Sequence, residues 1–167
     1  WANIPLIMSK GAVWYSRIGT EKNTGTKIFS LVGKARNTGL VEVPMGTTLG
    51  EIVYDLGGGP PLGKKLKGVQ IGGPSGGCIP VELLNLPLDY ETLKKAGAMI
   101  GSGGMIVIDE DTCVVDLSRY FLRFLQDESC GKCFSCRKGI QRMVEILADI
   151  SEGRGKKSDL ELLEELA

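Results

Sequence analysis

Three of the chain's five cysteines fall within seven residues: Cys130, Cys133 and Cys136. They lie in the run Glu128-Ser129-Cys130-Gly131-Lys132-Cys133-Phe134-Ser135-Cys136-Arg137-Lys138-Gly139. An odd count with three thiols packed together is not the pattern of a secreted disulfide framework. A loop that wraps on itself points three such thiols into one pocket, and Gly131 permits the tight turn because it tolerates positive φ. This spacing suits three irons of a cubane [4Fe–4S] cluster, with the fourth iron taking a remote ligand. The ferredoxin run would set a further cysteine four residues on, where Ile140 stands. Lys132, Arg137 and Lys138 supply positive charge around a centre of net negative charge. Cys136 is expected where a helix begins, and a helix N-terminus favours anions. Two other readings compete: zinc, and structural or redox thiols. Zinc commonly takes two separate C-x-x-C pairs or adds histidine; this chain has no second pair and no histidine.

The absence of histidine also excludes Ser-His-Asp and Cys-His catalysis within the chain. Lys plus Arg and Asp plus Glu are both 20, so the net charge is zero. A nucleic-acid partner or an acidic membrane surface calls for a basic excess, and 6% aromatic residues make a poor base-stacking platform. The 167 residues, 43% apolar, suffice for one domain or two small ones. No apolar run approaches the roughly 20 residues that span a bilayer, so direct membrane insertion is not expected. The chain starts at Trp1 and its first fifteen residues lack the charge–apolar–small order of a signal peptide. It is therefore expected to be a processed or truncated piece of an intracellular protein.

The pattern along the chain changes near Asp109. Ile4, Ile7 and Met8 have helical spacing in a short segment that Gly11 interrupts. Thr26 to Ala35 alternates as a strand, Asn37-Thr38-Gly39 is a hairpin turn, and Leu40 to Val43 is the return strand. Thr47 or Thr48 caps a helix over Leu49 to Leu56, stopped by Gly57-Gly58-Gly59. Strands over Leu66 to Ile71 and Met105 to Ile108 flank a helix from Asp89 to Ala96. Gly72 to Gly77 is expected to be a turn. Beyond Asp109 the period is helical. A helix capped by Asp111 or Thr112 runs to Gln126, with Val114, Leu117, Phe121, Phe124 and Leu125 apolar. A second runs from Cys136 to Ser151 with Ile140, Met143, Val144, Leu147 and Ile150 inward. Ser158-Asp159-Leu160-Glu161 is a capping box for a third, whose stripe is Leu160, Leu163 and Leu166. The fold class is α+β: a small β-grasp-like sheet domain followed by a truncated helical bundle.

Two glycine segments fall short of nucleotide motifs. Gly58 to Lys65 nearly matches a P-loop, but Lys65 replaces the hydroxyl that would bind magnesium and two prolines withhold backbone donors. Gly101-Ser102-Gly103-Gly104 has Ile106 where a dinucleotide fingerprint needs its last glycine. Both read as structural turns. Cys78 and Cys113 read as small core residues.

The whole chain resembles the C-terminal part of the NADH-binding flavoprotein subunit of bacterial NADH dehydrogenase I (respiratory complex I). It is also similar to the related subunit of NAD(P)-reducing iron hydrogenases and NAD-dependent formate dehydrogenases. Gly19-Thr20-Glu21-Lys22, Gly25-Thr26-Lys27, Val43-Pro44-Met45-Gly46, Gly101-Ser102-Gly103-Gly104 and the cysteine run with Arg137 carry the resemblance, while Gly76-Gly77-Cys78-Ile79-Pro80 looks more like the hydrogenase branch. It implies three parts: residues 1–24, a helical segment and linker from an absent flavin domain; 25–108, the β-grasp-like domain; and 109–167, an iron–sulfur helical bundle incomplete at its C-terminus. Cys130, Cys133 and Cys136 would ligate a [4Fe–4S] cluster whose fourth cysteine lies beyond the chain's end. FMN and NAD(H) are implied for the full-length subunit only, so this piece would have no catalytic residue and no FMN or NAD site, and would be inactive alone. Its role would be to relay electrons from FMN to other iron–sulfur subunits of an assembly that is cytoplasmic, or peripheral to the inner membrane through its complex. The alternative is a non-catalytic β-grasp ligand-binding or docking module with a zinc or structural cysteine site.

Overall fold

The computed structural model describes residues 1–167. They form two compact units, 1–110 and 111–167.

The first unit opens with two short helices, α1 (Ile4–Lys10) and α2 (Ala12–Ser16). The break between them is Gly11, whose φ of +86° no helix can include and few other residues adopt. Strand β1 (Thr26–Gly33) and β2 (Gly39–Pro44) form the antiparallel hairpin, with Phe29 opposite Val41. A tightly packed helical crossing, Glu51–Leu56, leads to β3 (Leu66–Ile71), β4 (Gly77–Pro80), α3 (Tyr90–Lys95) and β5 (Gly104–Asp109). The sheet order is β2-β1-β5-β3-β4, and β5 runs parallel to β1 and antiparallel to β3. A five-stranded mixed sheet with parallel central strands and one crossing helix is the β-grasp arrangement expected from the sequence.

Alternation aims one face of this sheet at the crossing segment. Phe29 and Leu31 of β1 and Met105 and Val107 of β5 are buried, and they join Leu49, Ile52 and Val53 in one cluster. Thr48 starts the crossing segment as a capping box. Its N–H donates to the Glu51 carboxylate at 2.8 Å, and its hydroxyl oxygen accepts from Glu51 N–H at 3.2 Å. The bond from Thr48 N–H and the Thr48 hydroxyl, which donates to the same carboxylate at 2.8 Å, hold the Glu51 carboxyl below its ordinary pKa. The segment is π-wound rather than α-helical: Gly57 N–H reaches back five residues to Ile52 O at 2.9 Å.

Two expectations change in this unit. The segment expected to be a plain turn ends in a strand, because Gly77–Pro80 pairs with Gly68–Ile71 through the backbone despite poor strand composition. Cys78 lies on that strand and is exposed rather than in the core; neighbouring atoms still strip enough water from its thiol to push the pKa up. In keeping with its reading as a structural turn, the near-P-loop segment connects a helix to β3, the reverse of the strand-to-helix order that phosphate binding uses.

The second unit is helical: α4 (Val114–Glu128), α5 (Phe134–Ser151) and α6 (Lys157–Leu166). Helices α4 and α5 pack on each other. Phe121 of α4 and Val144, Ile146 and Leu147 of α5 are buried. The apolar stripes read from sequence are wider than what is covered: Val114, Phe124 and Leu160 are exposed. One main partner per helix buries a narrower strip than the full apolar face. Ile146, not expected inward, is 2% exposed. The caps also shift. Cys113, also exposed, is the N-cap of α4, and Asp116 places its charge in the first turn in place of a capping side chain. Helix α6 starts two residues early. Asp159 accepts from Lys156 N–H at 2.7 Å, and its own N–H donates to the Lys156 carbonyl at 3.0 Å, because the lysine side chain has no acceptor to offer.

Candidate iron–sulfur centre

The cysteine loop links α4 to α5. Ser129 ends α4 in extended backbone (ψ 131°), and the chain turns at Gly131 with φ +71°. Cys133 is the N-cap of α5, so the helix begins at Phe134 and Cys136 falls in its first turn rather than at its start. The Cys133 carbonyl accepts the first helical bond, from Arg137 N–H at 3.0 Å. No side chain caps this end. The N–H groups of a helix's first turn have no partner within the helix, and they point the positive end of its dipole at the loop.

Two side chains hold the loop's shape. The Ser129 hydroxyl oxygen accepts from Gly131 N–H at 3.2 Å and lies 3.6 Å from Cys136 Sγ. Arg137 donates to the Gly131 carbonyl, with its guanidinium over the Phe134 ring at 6.0 Å from the centroid. Ser129, Gly131, Cys136 and Arg137 line a hollow of about 310 Å³ with Gln126, Lys138, Ile140 and Gln141. The sequence offered Arg137 as a nearby charge and placed both Arg137 and Ser129 in the run that carries the resemblance, but gave neither of them a contact.

All three cysteines are free and exposed. No three Cys, Asp or Glu side chains in the structure are arranged to share a single metal ion, an arrangement that thiols each holding a separate iron of a cubane do not need. The donor set itself suits iron–sulfur chemistry. It consists of three thiols on one short loop, at an uncapped helix N-terminus, among three cationic side chains. The loop is therefore a chemically matched site for such a cluster.

Residues 116–167 match the model of the NADH-ubiquinone oxidoreductase-F iron–sulfur binding region. The helical unit belongs to that family of [4Fe–4S] binding regions. Across its whole length the chain is 50% identical to the NADP-reducing hydrogenase subunit HndC of Solidesulfovibrio fructosivorans, covering 34% of that protein. It is 38% identical over 164 residues to the F subunit of the NADH-quinone oxidoreductase of Escherichia coli strain K12, covering 98% of this chain and 37% of the relative. Among solved structures, an NAD+-reducing [NiFe]-hydrogenase in the H2-reduced state superposes with a TM-score of 0.83 at 34% identity, over 96% of this chain and 27% of the other. The chain thus spans about a third of the length of the relatives it matches. These relatives are oxidoreductase subunits. No helix of this chain is long and apolar enough to cross a membrane.

Proposed function

We propose that residues 1–167 are the β-grasp and iron–sulfur part of a nicotinamide-linked oxidoreductase subunit, and that Cys130, Cys133 and Cys136 hold three irons of its [4Fe–4S] cluster. The observation that carries this is the C-x-x-C-x-x-C loop at the N-terminus of α5, inside the matched region. When bound, the cluster supplies one-electron storage and release. The chain's own residues do the rest. The three thiols, as thiolates, bind iron. Lys132, Arg137 and the first turn of α5 set positive charge beside a negative centre, which favours the reduced state. Ser129 lies within hydrogen-bonding reach of the Cys136 sulfur, and a hydroxyl donating to a ligand sulfur draws electron density from it.

The names of the relatives each join a nicotinamide nucleotide to a second redox partner: a quinone, or hydrogen. The fitting role for this piece is relay between the flavin of the parent subunit and further iron–sulfur subunits. FMN and NAD(H) chemistry would lie in other parts of that subunit.

The test is anaerobic reconstitution of the protein followed by iron, sulfide and zinc assay, visible absorbance, and electron paramagnetic resonance after reduction. A brown protein with equal iron and sulfide and a signal on reduction is expected. A colourless protein that takes up one zinc ion through the same cysteines would overturn the reading.

A further inference from the structure

We propose that Arg137 is a positioning residue that closes the cysteine loop before any metal arrives, with Ser129 as its second fastening. The proposal rests on the assignment of Cys130, Cys133 and Cys136 as ligands.

The argument starts from what each contact spans. Gly131 directly follows the first cysteine and Arg137 directly follows the third. The bond from the Arg137 guanidinium to the Gly131 carbonyl therefore closes nearly the same interval that a cluster would close. It uses a backbone oxygen and a side chain that are not ligands, so it leaves all three thiols free. Ser129 closes the interval from the other side: its hydroxyl accepts from Gly131 N–H and reaches the Cys136 sulfur. The two fastenings meet at Gly131. Its φ of +71° turns its N–H toward Ser129 and its carbonyl toward Arg137, a conformation that a side chain would strain.

Arginine suits this task better than lysine. Its planar fork donates to the carbonyl while its face lies over Phe134, at the first position of α5. An ammonium keeps the charge and gives up the planar contact. Ordering the loop in advance removes part of the entropy cost of assembling the ligands, so the gain appears as slower loss of metal.

Arg137→Ala and Arg137→Lys in the full holo-protein decide the matter, with far-UV circular dichroism confirming that α4 and α5 remain. Release of iron to a ferrous chelator under anaerobic conditions is expected to be roughly tenfold faster in R137A, the scale of one lost charge-assisted hydrogen bond. R137K is expected to fall between R137A and the parent. In the metal-free protein, trypsin cleavage after Lys132, inside the loop, is expected to speed up in R137A by a similar factor. Parent-like release and cleavage in R137A would overturn the proposal. So would parent-like values in R137K, since charge alone would then account for the effect. Substituting Cys130, Cys133 and Cys136 by serine in the same assay separates the two levels. If those variants keep a full cluster, the ligand assignment has failed; if they lose it while R137A behaves as the parent, only the positioning role has failed.

Discussion

The two units are held together differently. In residues 1–110 a single cluster runs from Phe29 and Leu31 through Leu49, Ile52 and Val53 to Leu93, Ile100 and Met105, all at 0–1% exposure. In residues 111–167 the buried apolar side chains are Phe121, Val144, Ile146 and Leu147, at 2–8%. None of these lies in the cysteine loop, where all three thiols are exposed. A sheet closed by a dense core keeps its shape by burial alone, whereas a helical unit this small, with its loop outside the core, gains most from a staple. A cluster at the N-terminus of α5 would serve as that staple as well as a redox centre.

The largest expected effect is on the staple. Replacing any one of Cys130, Cys133 or Cys136 by serine should abolish retention of the anaerobically reconstituted cluster. Replacing Cys78 or Cys113 should leave iron and sulfide at parental levels. Iron and sulfide assays on the five variants check this, and cluster loss in C113S would move the ligand set to the start of α4. Next in size is removal of the metal. Chelation should raise amide hydrogen exchange in residues 129–137 while the amides of β1 and β5 keep their protection. Loss of protection across the sheet would mean that burial alone does not hold the first unit.

Single side chains extend the contrast. Ile52→Ala removes a fully buried side chain from the crossing segment that packs on the sheet and should cost about 2–5 kcal/mol in denaturant unfolding. Val144→Ala, at 8% exposure in the thinner unit, removes less buried surface and should cost about 1–2 kcal/mol. Equal costs would show that the helical unit packs as tightly as the sheet.

The sequence was most informative where local chemistry dictates structure. The β1–β2 hairpin followed from alternation and Asn37-Thr38-Gly39, and the Asp89 cap followed from its side chain. The cysteine spacing announced the cofactor class without reference to the fold. The sequence was silent where a partner strand or tertiary packing decides. Gly77–Pro80 has no strand propensity of its own and becomes β4 only by pairing with β3. Val114, Phe124 and Leu160 are apolar at helical spacing, yet their exposure depends on which neighbours cover them. The Arg137 contact with Gly131 depends on the path of the loop, which spacing alone does not fix.

The smallest expected effect lies at the start of α3. The Asp89 carboxylate accepts from Thr92 N–H at 2.7 Å and from the Thr92 hydroxyl at 2.8 Å. The backbone bond from Thr92 is the main reason its carboxyl sits below the ordinary aspartate range. A depressed folded-state pKa means that the native fold prefers the charged form. The cap's contribution is therefore complete at neutral pH, and it fades as the pH falls below about 4 and through the folded value. Asp89→Ala should cost about 1 kcal/mol at pH 7, and Asp89→Asn, which keeps an acceptor, should cost less. Asp89 is half-buried at the surface and its shift comes mainly from the Thr92 bond, so its purely electrostatic share is small and salt should change the result little. Unfolding at pH 7 and pH 3 separates the contributions: the gap between parent and Asp89→Asn should narrow at pH 3. A gap that stays constant between the two would assign the cap's whole contribution to hydrogen-bond geometry and none to charge.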